Sequence, residues 1–133
     1  MGNTTARTGI AAAAMCAVLA PAVPASAATV PATMIVLDRS GGFAGRHDTF
    51  VVDRMTAGGQ RPLRLAARPA FRRLRASYEP ANPCCDRFAY RIDVTYRNGR
   101  HKTVSTVQGT EAPPILWEVI DEVEQVAARP AAS

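Results

Sequence analysis

Few side chains of this sequence have the chemistry and the neighbours that catalysis requires. Ser40 could act as a nucleophile only with a base to activate it, and the two histidines of the chain are His47 and His101. His47 precedes Asp48, an acid and base pair by residue type, but neighbouring side chains of a strand point to opposite faces. His101 lies among basic residues and fits a solvated strand position. The sequence lacks the motifs of serine hydrolases, zinc peptidases and nucleotide-binding proteins, so we expect no enzymatic activity.

Cysteine chemistry is restricted to the adjacent pair Cys84 and Cys85 once the amino-terminal segment with Cys16 is set aside. The pair could form a disulfide with each other, bond to another chain or remain as thiols, and an oxidising compartment favours the first two. No second Cys or His pair follows at zinc spacing. We therefore predict no metal site and no cofactor, and we interpret the pair as part of a turn that enters a strand.

The amino terminus has the pattern of a signal peptide. Arg7 precedes an apolar run over residues 10–20, and Ala25-Ser26-Ala27 gives the small-x-small site that signal peptidase cleaves. Pro21 and Pro24 interrupt the run, which is too short for the roughly 20 residues of a membrane span. We predict a signal peptide over residues 1–27, export from the cell and no membrane attachment after cleavage.

Cleavage would leave residues 28–133 as one domain, with an ordered core over about residues 34–127. Removal of Arg7 lowers the formal net charge from +5 to +4, a modest value that favours solubility and argues against a nucleic-acid partner outside the cell. The segment 61–75 contains six arginines. This run is interpreted as a solvated face, with a docking patch as the alternative.

Two strands are predicted first. Met34–Leu37 is an apolar run of strand length, residues 40–42 end it, and strand-forming residues return over 46–53. Pro69 is placed to open a helix that runs to about Ser77, with Phe71, Leu74 and Tyr78 on one face. Together they predict a hairpin followed by a helix.

A second hairpin and a final helix follow. Apolar residues alternate with polar ones from Phe88 to Tyr96, and Asn98-Gly99 then gives a strong turn signal before a return strand over 100–108. A two-residue turn would place Ile92 opposite Ser105, whereas a three-residue loop with left-handed Gly99 places it opposite Val104. The second register pairs apolar with apolar and is preferred.

The final helix begins near Pro113 and has one apolar stripe. The stripe contains Leu116, Val119, Ile120, Val123, Val126 and Ala127. The predicted fold class is therefore α+β, a four-stranded antiparallel sheet with two helices on one face, in the order β-β-α-β-β-α.

The connection of the first hairpin is the segment that most invites a binding role. It combines three glycines, which permit unusual φ angles and close backbone approach, with a single large apolar side chain. Its residues are Ser40, Gly41, Gly42, Phe43, Ala44 and Gly45. Composition leaves two alternatives open: Phe43 is an exposed anchor, or it folds back into the core.

Three segments resemble the emfourin family of small bacterial proteins. They are residues 36–45, residues 86–90 and the predicted helix over 113–123, so the similarity spans about residues 34–127. The resemblance implies an inhibitor of protealysin and related thermolysin-like metallopeptidases. We expect the protein to be a monomer in the absence of its partner. Export is compatible with this role, because thermolysin-like enzymes are often secreted.

The resemblance also implies a mechanism. A thermolysin-like cleft prefers a bulky apolar side chain just after the scissile bond, so a loop that carries Phe43 would fill that pocket and occlude the cleft. The candidate contact residues are the six of the glycine-rich segment, together with Asn98 and Gly99 at the other turn. The alternative function is a secreted, non-catalytic binding module for an extracellular or envelope partner.

Overall fold

The computed structural model describes residues 29–130, so the predicted signal peptide lies outside the described part of the chain. The elements in chain order are β1 (Ala32–Gly41), β2 (Arg46–Asp53), α1 (Gln60–Ala67), α2 (Pro69–Arg72), β3 (Ser77–Tyr78), β4 (Phe88–Tyr96), β5 (His101–Val107) and α3 (Pro114–Ala128). Within residues 29–130 no helix combines the length and apolarity that crossing a membrane requires.

In the part of the chain that the structure describes, the sheet has five strands in the order β2-β1-β4-β5-β3. All neighbouring pairs are antiparallel except β3 and β5, which run parallel with Ser77 opposite Ser105. The α+β class is confirmed, but the prediction of a four-stranded, wholly antiparallel sheet was wrong. The strand that was not predicted is β3, which has two residues. Two residues are too few to show the alternation of apolar and polar side chains by which strands are recognised in a sequence.

The prediction of two helices was also wrong, because residues 29–130 contain three, and the predicted helix from Pro69 to about Ser77 has different bounds. Helix α1 precedes it, and α2 ends at Arg72. Arg68 separates the two with φ −62° and ψ 144°, the extended conformation that a following proline imposes. The predicted apolar face of Phe71, Leu74 and Tyr78 is buried, but its members lie in α2, in the connection and in β3.

The second hairpin adopts the preferred register, with Ile92 opposite Val104. Gly99 has φ +79°, and the Asn98 side-chain oxygen accepts the Arg100 backbone N–H at 3.0 Å. The structure thus confirms the three-residue loop, in which a left-handed glycine adds one residue and matches apolar side chains across the strands.

One hydrophobic core lies between the sheet and its helices. Helices α1 and α3 contact each other, α1 contacts β1, and both contact β2. Ile35 and Leu37 of β1 alternate with more exposed residues and are fully buried, which defines the core face of the sheet. Five of the six predicted α3 positions are buried, while Ala127 is exposed. Side chains of the opposite face, such as Arg91, remain in solvent.

Candidate functional site

The connection between β1 and β2 is a tight turn over residues 42–45, called the hairpin tip below. Ser40 and Gly41 belong to the end of β1, where they pair with His47 and Arg46. The observed loop is therefore shorter than the predicted connection over residues 40–45. Phe43 is 95% exposed at the tip. The alternative in which Phe43 fills the core is therefore excluded.

The backbone of the hairpin tip is held against the start of β4. The Gly42 N–H donates to the Arg87 carbonyl at 3.3 Å, and the Gly45 N–H donates to the Gly42 carbonyl at 3.1 Å. Gly41 has φ +100°, and a Cβ there would lie 2.7 Å from the Arg87 carbonyl oxygen. A Cβ on Gly42 would lie 2.9 Å from the Phe88 ring. Glycine is favoured at both positions because both have positive φ, and at Gly41 a Cβ would also meet the Arg87 backbone and displace the tip from β4.

Arg39 lies directly behind the hairpin tip and joins its strands to α3. Its guanidinium donates hydrogen bonds to Asp48 at 2.9 Å and to Glu124 at 2.8 Å. It also lies 5.2 Å from the centroid of the Phe50 ring and 4.9 Å from that of Phe88. Both rings are within the range of cation–π attraction. One side chain therefore links β1, β2, β4 and α3 beneath the exposed Phe43.

The ion pair between Arg39 and Asp48 shifts the pKa of both residues. The hydrogen bond from Arg39 holds the pKa of Asp48 below its ordinary value, while burial opposes this and Arg46 reinforces it. The same hydrogen bond raises the pKa of Arg39. Asp48 is therefore ionised near neutral pH, and the base of the hairpin carries a fixed charge pair.

The cysteine pair lies next to this site. Cys84 and Cys85 are joined by a disulfide in the turn before β4, and Cys85 has φ +84°. The Cys85 carbonyl accepts the Arg87 N–H at 2.8 Å, while the Arg87 carbonyl holds Gly42. The pair therefore shapes the segment on which the hairpin tip rests.

The second predicted contact turn, Asn98-Gly99, lies at the other end of the molecule. Strands β1 and β4 are antiparallel, with Gly41 opposite Phe88 and Ala32 opposite Tyr96. The ten residues of β1 separate the two turns by about 30 Å at roughly 3.3 Å per residue. The structure therefore does not bring the two predicted contact regions together.

The candidate catalytic groups do not form a catalytic arrangement within the described residues. Ser40 and His47 are cross-strand neighbours, but no hydrogen bond joins their side chains in residues 29–130. Asp48 bonds to Arg39 instead of His47, and His101 Nδ1 lies 3.2 Å from the Thr95 hydroxyl. In that same part of the chain, no cluster of three or more His, Cys, Asp or Glu side chains could hold a metal ion.

Arg39 and Arg87 were missed by the sequence analysis. Arg39 follows Ile35 and Leu37 at every second position of β1, so the three side chains lie on the same face of the sheet, the core face. This signal was present in the sequence, because an arginine that continues an inward-facing series must find carboxylate partners when it folds. Arg87 acts through its backbone carbonyl, which no residue type reveals.

The comparisons with known proteins agree with the resemblance. The family model Emfourin matches residues 37–124, which include the hairpin tip, β4, β5 and most of α3. The match covers about two thirds of the sequence, and the chain therefore belongs to the Emfourin family. This is a family of metallopeptidase inhibitors, with inhibition of protealysin as its known function. Neither a curated protein nor a solved structure matches the chain.

Proposed function

We propose that this protein is a secreted inhibitor of a thermolysin-like zinc metallopeptidase, and that the hairpin tip blocks the active-site cleft. The observation that carries the proposal is the exposure of Phe43 on a turn that two backbone hydrogen bonds hold in place. Family membership supplies the enzyme class, and the thermolysin-like target is our extension of it.

The chemistry of the hairpin tip suits insertion into an apolar cleft. An exposed phenylalanine would bury most of its surface on binding, and such aromatic anchors often dominate the affinity of an interface. Gly42 and Gly45 on either side of Phe43 and Ala44 carry no side chains, so the backbone can approach the enzyme closely. Inhibition would follow from exclusion of substrate.

The support beneath the tip explains how such a loop could bind without being cleaved. Arg39 connects the two hairpin strands to α3, and Arg87 holds Gly42. A loop that is ordered before binding loses less conformational entropy in the complex. It also resists the distortion that a productive geometry for peptide hydrolysis would require.

Export is part of the proposal and rests on the sequence of residues 1–27 alone. Mass spectrometry of the protein from culture supernatant should give a chain that begins at Ala28. An intact amino terminus in that fraction would contradict the predicted cleavage. Size-exclusion chromatography should give the mass of one chain, because we propose a monomer in the absence of the enzyme.

The direct test is to mix the purified chain with a thermolysin-like peptidase and to measure the residual rate on a peptide substrate. A zinc carboxypeptidase of unrelated fold is the control enzyme. We expect loss of activity of the first enzyme as one equivalent is approached and an unchanged rate for the second. Full activity of several thermolysin-like enzymes in excess protein would refute inhibition and would favour the alternative of a non-catalytic binding module.

A further inference from the structure

A second surface with distinctive chemistry lies at the end of the sheet opposite the hairpin tip. There, a cleft of about 420 Å³ opens between α2 and the β4–β5 turn. Four cationic side chains line it: Arg72, Arg73, Arg100 and Lys102. We call this the basic cleft. No carboxylate is among its lining residues in the described part of the chain.

The charge of the basic cleft is not neutralised by the described protein. The salt bridges found in residues 29–130 use other arginines, namely Arg39, Arg46, Arg61 and Arg91. Like charges that surround a concave surface focus a positive potential within it. An anion in the cleft would reduce the repulsion among these cations.

Arg72 is positioned by an aromatic ring at the bottom of the cleft. Its guanidinium carbon lies 5.9 Å from the centroid of Tyr96, within cation–π range. Tyr96 is itself fixed, because its hydroxyl donates to the Ala66 carbonyl at 2.9 Å. Burial raises the pKa of Tyr96 to about 12, so the ring stays neutral and does not compensate the cations.

The Lys102 side chain and the turn that carries Arg100 are both held by hydrogen bonds. The Lys102 ammonium donates to the Leu74 carbonyl, which links β5 to the connection after α2. Asn98 accepts the Arg100 backbone N–H and fixes the turn from which that side chain projects. The cations of the basic cleft therefore come from two separate segments, residues 72–73 and residues 100–102, which the Lys102–Leu74 hydrogen bond joins. This differs from a run of arginines along one solvated helix.

The shape and chemistry of the lining indicate the ligand. Guanidinium groups offer forked donors that match the oxygens of a phosphate, and several cations favour a dianion over a single carboxylate. Val30 and Pro69 add apolar surface to the same cleft. We propose that the basic cleft binds the phosphoryl group of a small phosphate monoester through Arg72 and Arg100, with the organic part against Val30 and Pro69. This proposal does not rest on protease inhibition.

The test is calorimetric titration of the purified protein with phenyl phosphate and, separately, with inorganic phosphate. About 0.15 M salt is used, because exposed charges more than about 8 Å apart are then screened. Amide chemical shifts recorded in parallel should change at Tyr96, Asn98 and Lys102. Tighter binding of phenyl phosphate supports the proposed monoester, whereas equal affinities would show that Val30 and Pro69 contribute nothing and would overturn the monoester as the ligand.

The variant Arg72→Gln/Arg100→Gln removes both guanidinium groups proposed to bind the phosphoryl oxygens. Its matched control is Arg64→Gln/Arg68→Gln, since these exposed arginines line another cleft, together with Glu118. Both variants have the same net charge. We expect the first to bind phenyl phosphate more weakly by roughly tenfold for each guanidinium removed, and the control to keep native affinity. Circular dichroism verifies that both variants are folded.

Two further outcomes would overturn the proposal. The first is no detectable binding of either phosphate compound by the native protein at millimolar concentration. The second is an equal decrease of affinity in the two variants, which would show attraction to net charge without a defined site. Shift changes spread over the arginines of α1 would lead to the same conclusion.

Discussion

Phe43 could not be assigned from the sequence, because a core residue and an exposed anchor must both be apolar. In the structure, the hairpin closes with a short turn over residues 42–45. The turn is too short for the chain to fold back and place the Phe43 side chain in the core. Phe71 shows the contrast, since it is fully buried although it lies in the short helix α2. Burial of a single aromatic residue thus depends on neighbours that its local sequence does not specify.

Replacement of Phe43 by alanine should separate binding from folding. Because Phe43 is almost fully exposed, we expect the melting temperature of Phe43→Ala to be near native. Inhibition of the target peptidase should weaken by about 2 kcal/mol or more, roughly thirtyfold in affinity. Thermal unfolding and an inhibition assay on the same preparation measure the two effects.

Phe71→Ala is the control for this experiment. Phe71 has no exposed surface, so its truncation should lower the free energy of unfolding by roughly 3 to 5 kcal/mol. Native inhibition by a stably folded Phe43→Ala protein would remove Phe43 from the proposed contact surface.

The pairing of Asp48 with Arg39 predicts a specific pH dependence of stability. The pKa of Asp48 is lowered in the folded state from its ordinary value of 3.8, so its ionised form stabilises the fold above that pH. The contribution is lost as the pH falls through the lowered pKa. Asp48→Asn should therefore be less stable than the native protein at about pH 7, and the difference should shrink below about pH 4. Urea unfolding at several pH values measures this, and a constant difference across the range would contradict the prediction.

At the scale of elements, the sequence predicted the strand and the helix that have a strong periodicity, but it did not predict the short elements. The alternation from Phe88 to Tyr96 and the stripe of α3 each place many side chains on one face, which tertiary packing then preserves. In contrast, α1 begins after Gly59 without an acidic first turn or a side-chain cap, so its start has no sequence signal. Strand β3 exists because β5 offers a free edge for parallel pairing, a long-range condition that local sequence does not contain.

The hairpin tip allows a matched test of loop geometry with Gly41 and Gly45. An alanine at Gly45 would adopt φ +59° with no atom within 4 Å of its Cβ, so it should cost roughly 1 kcal/mol. An alanine at Gly41 would require φ +100° and a Cβ 2.7 Å from the Arg87 carbonyl oxygen. We expect Gly41→Ala to cost roughly 3 kcal/mol and to weaken inhibition because the tip moves away from β4.

Unfolding free energies and inhibition constants of the two variants provide the measurement. Inhibition by Gly45→Ala should stay closer to native, because its backbone can keep the same conformation. Equal effects of the two substitutions on stability would show that contact with Arg87 does not determine the shape of the tip.

At the scale of the whole molecule, the sheet separates two surfaces of different chemistry. The hairpin tip presents one aromatic side chain and glycine backbone, whereas the basic cleft presents cations around the β4–β5 turn. Asn98-Gly99 and the glycine-rich segment were both predicted as candidate contact residues. Strand direction places them at opposite ends of β1 and β4, and one enzyme cleft would hold only one of the two ends.

Because the two ends are so far apart, a bulky label at one end at a time can identify the end that contacts the peptidase. Ala44 at the hairpin tip and Arg97 beside the opposite turn are both exposed. Each is replaced by cysteine in a chain of residues 28–133 that carries Cys84→Ser and Cys85→Ser, and a bulky polyethylene glycol maleimide is attached. The serine background should keep near-native stability, because a disulfide between neighbours closes too short a loop to constrain the unfolded chain much.

We expect the adduct at residue 44 to abolish inhibition, since it would prevent the tip from entering the cleft. The adduct at residue 97 should leave inhibition unchanged, because about 30 Å of sheet separates it from the tip. The unlabelled cysteine variants control for the substitutions themselves, and residual peptidase activity is the measurement. Loss of inhibition only with the label at residue 97 would reverse the assignment and place the contact at the β4–β5 turn.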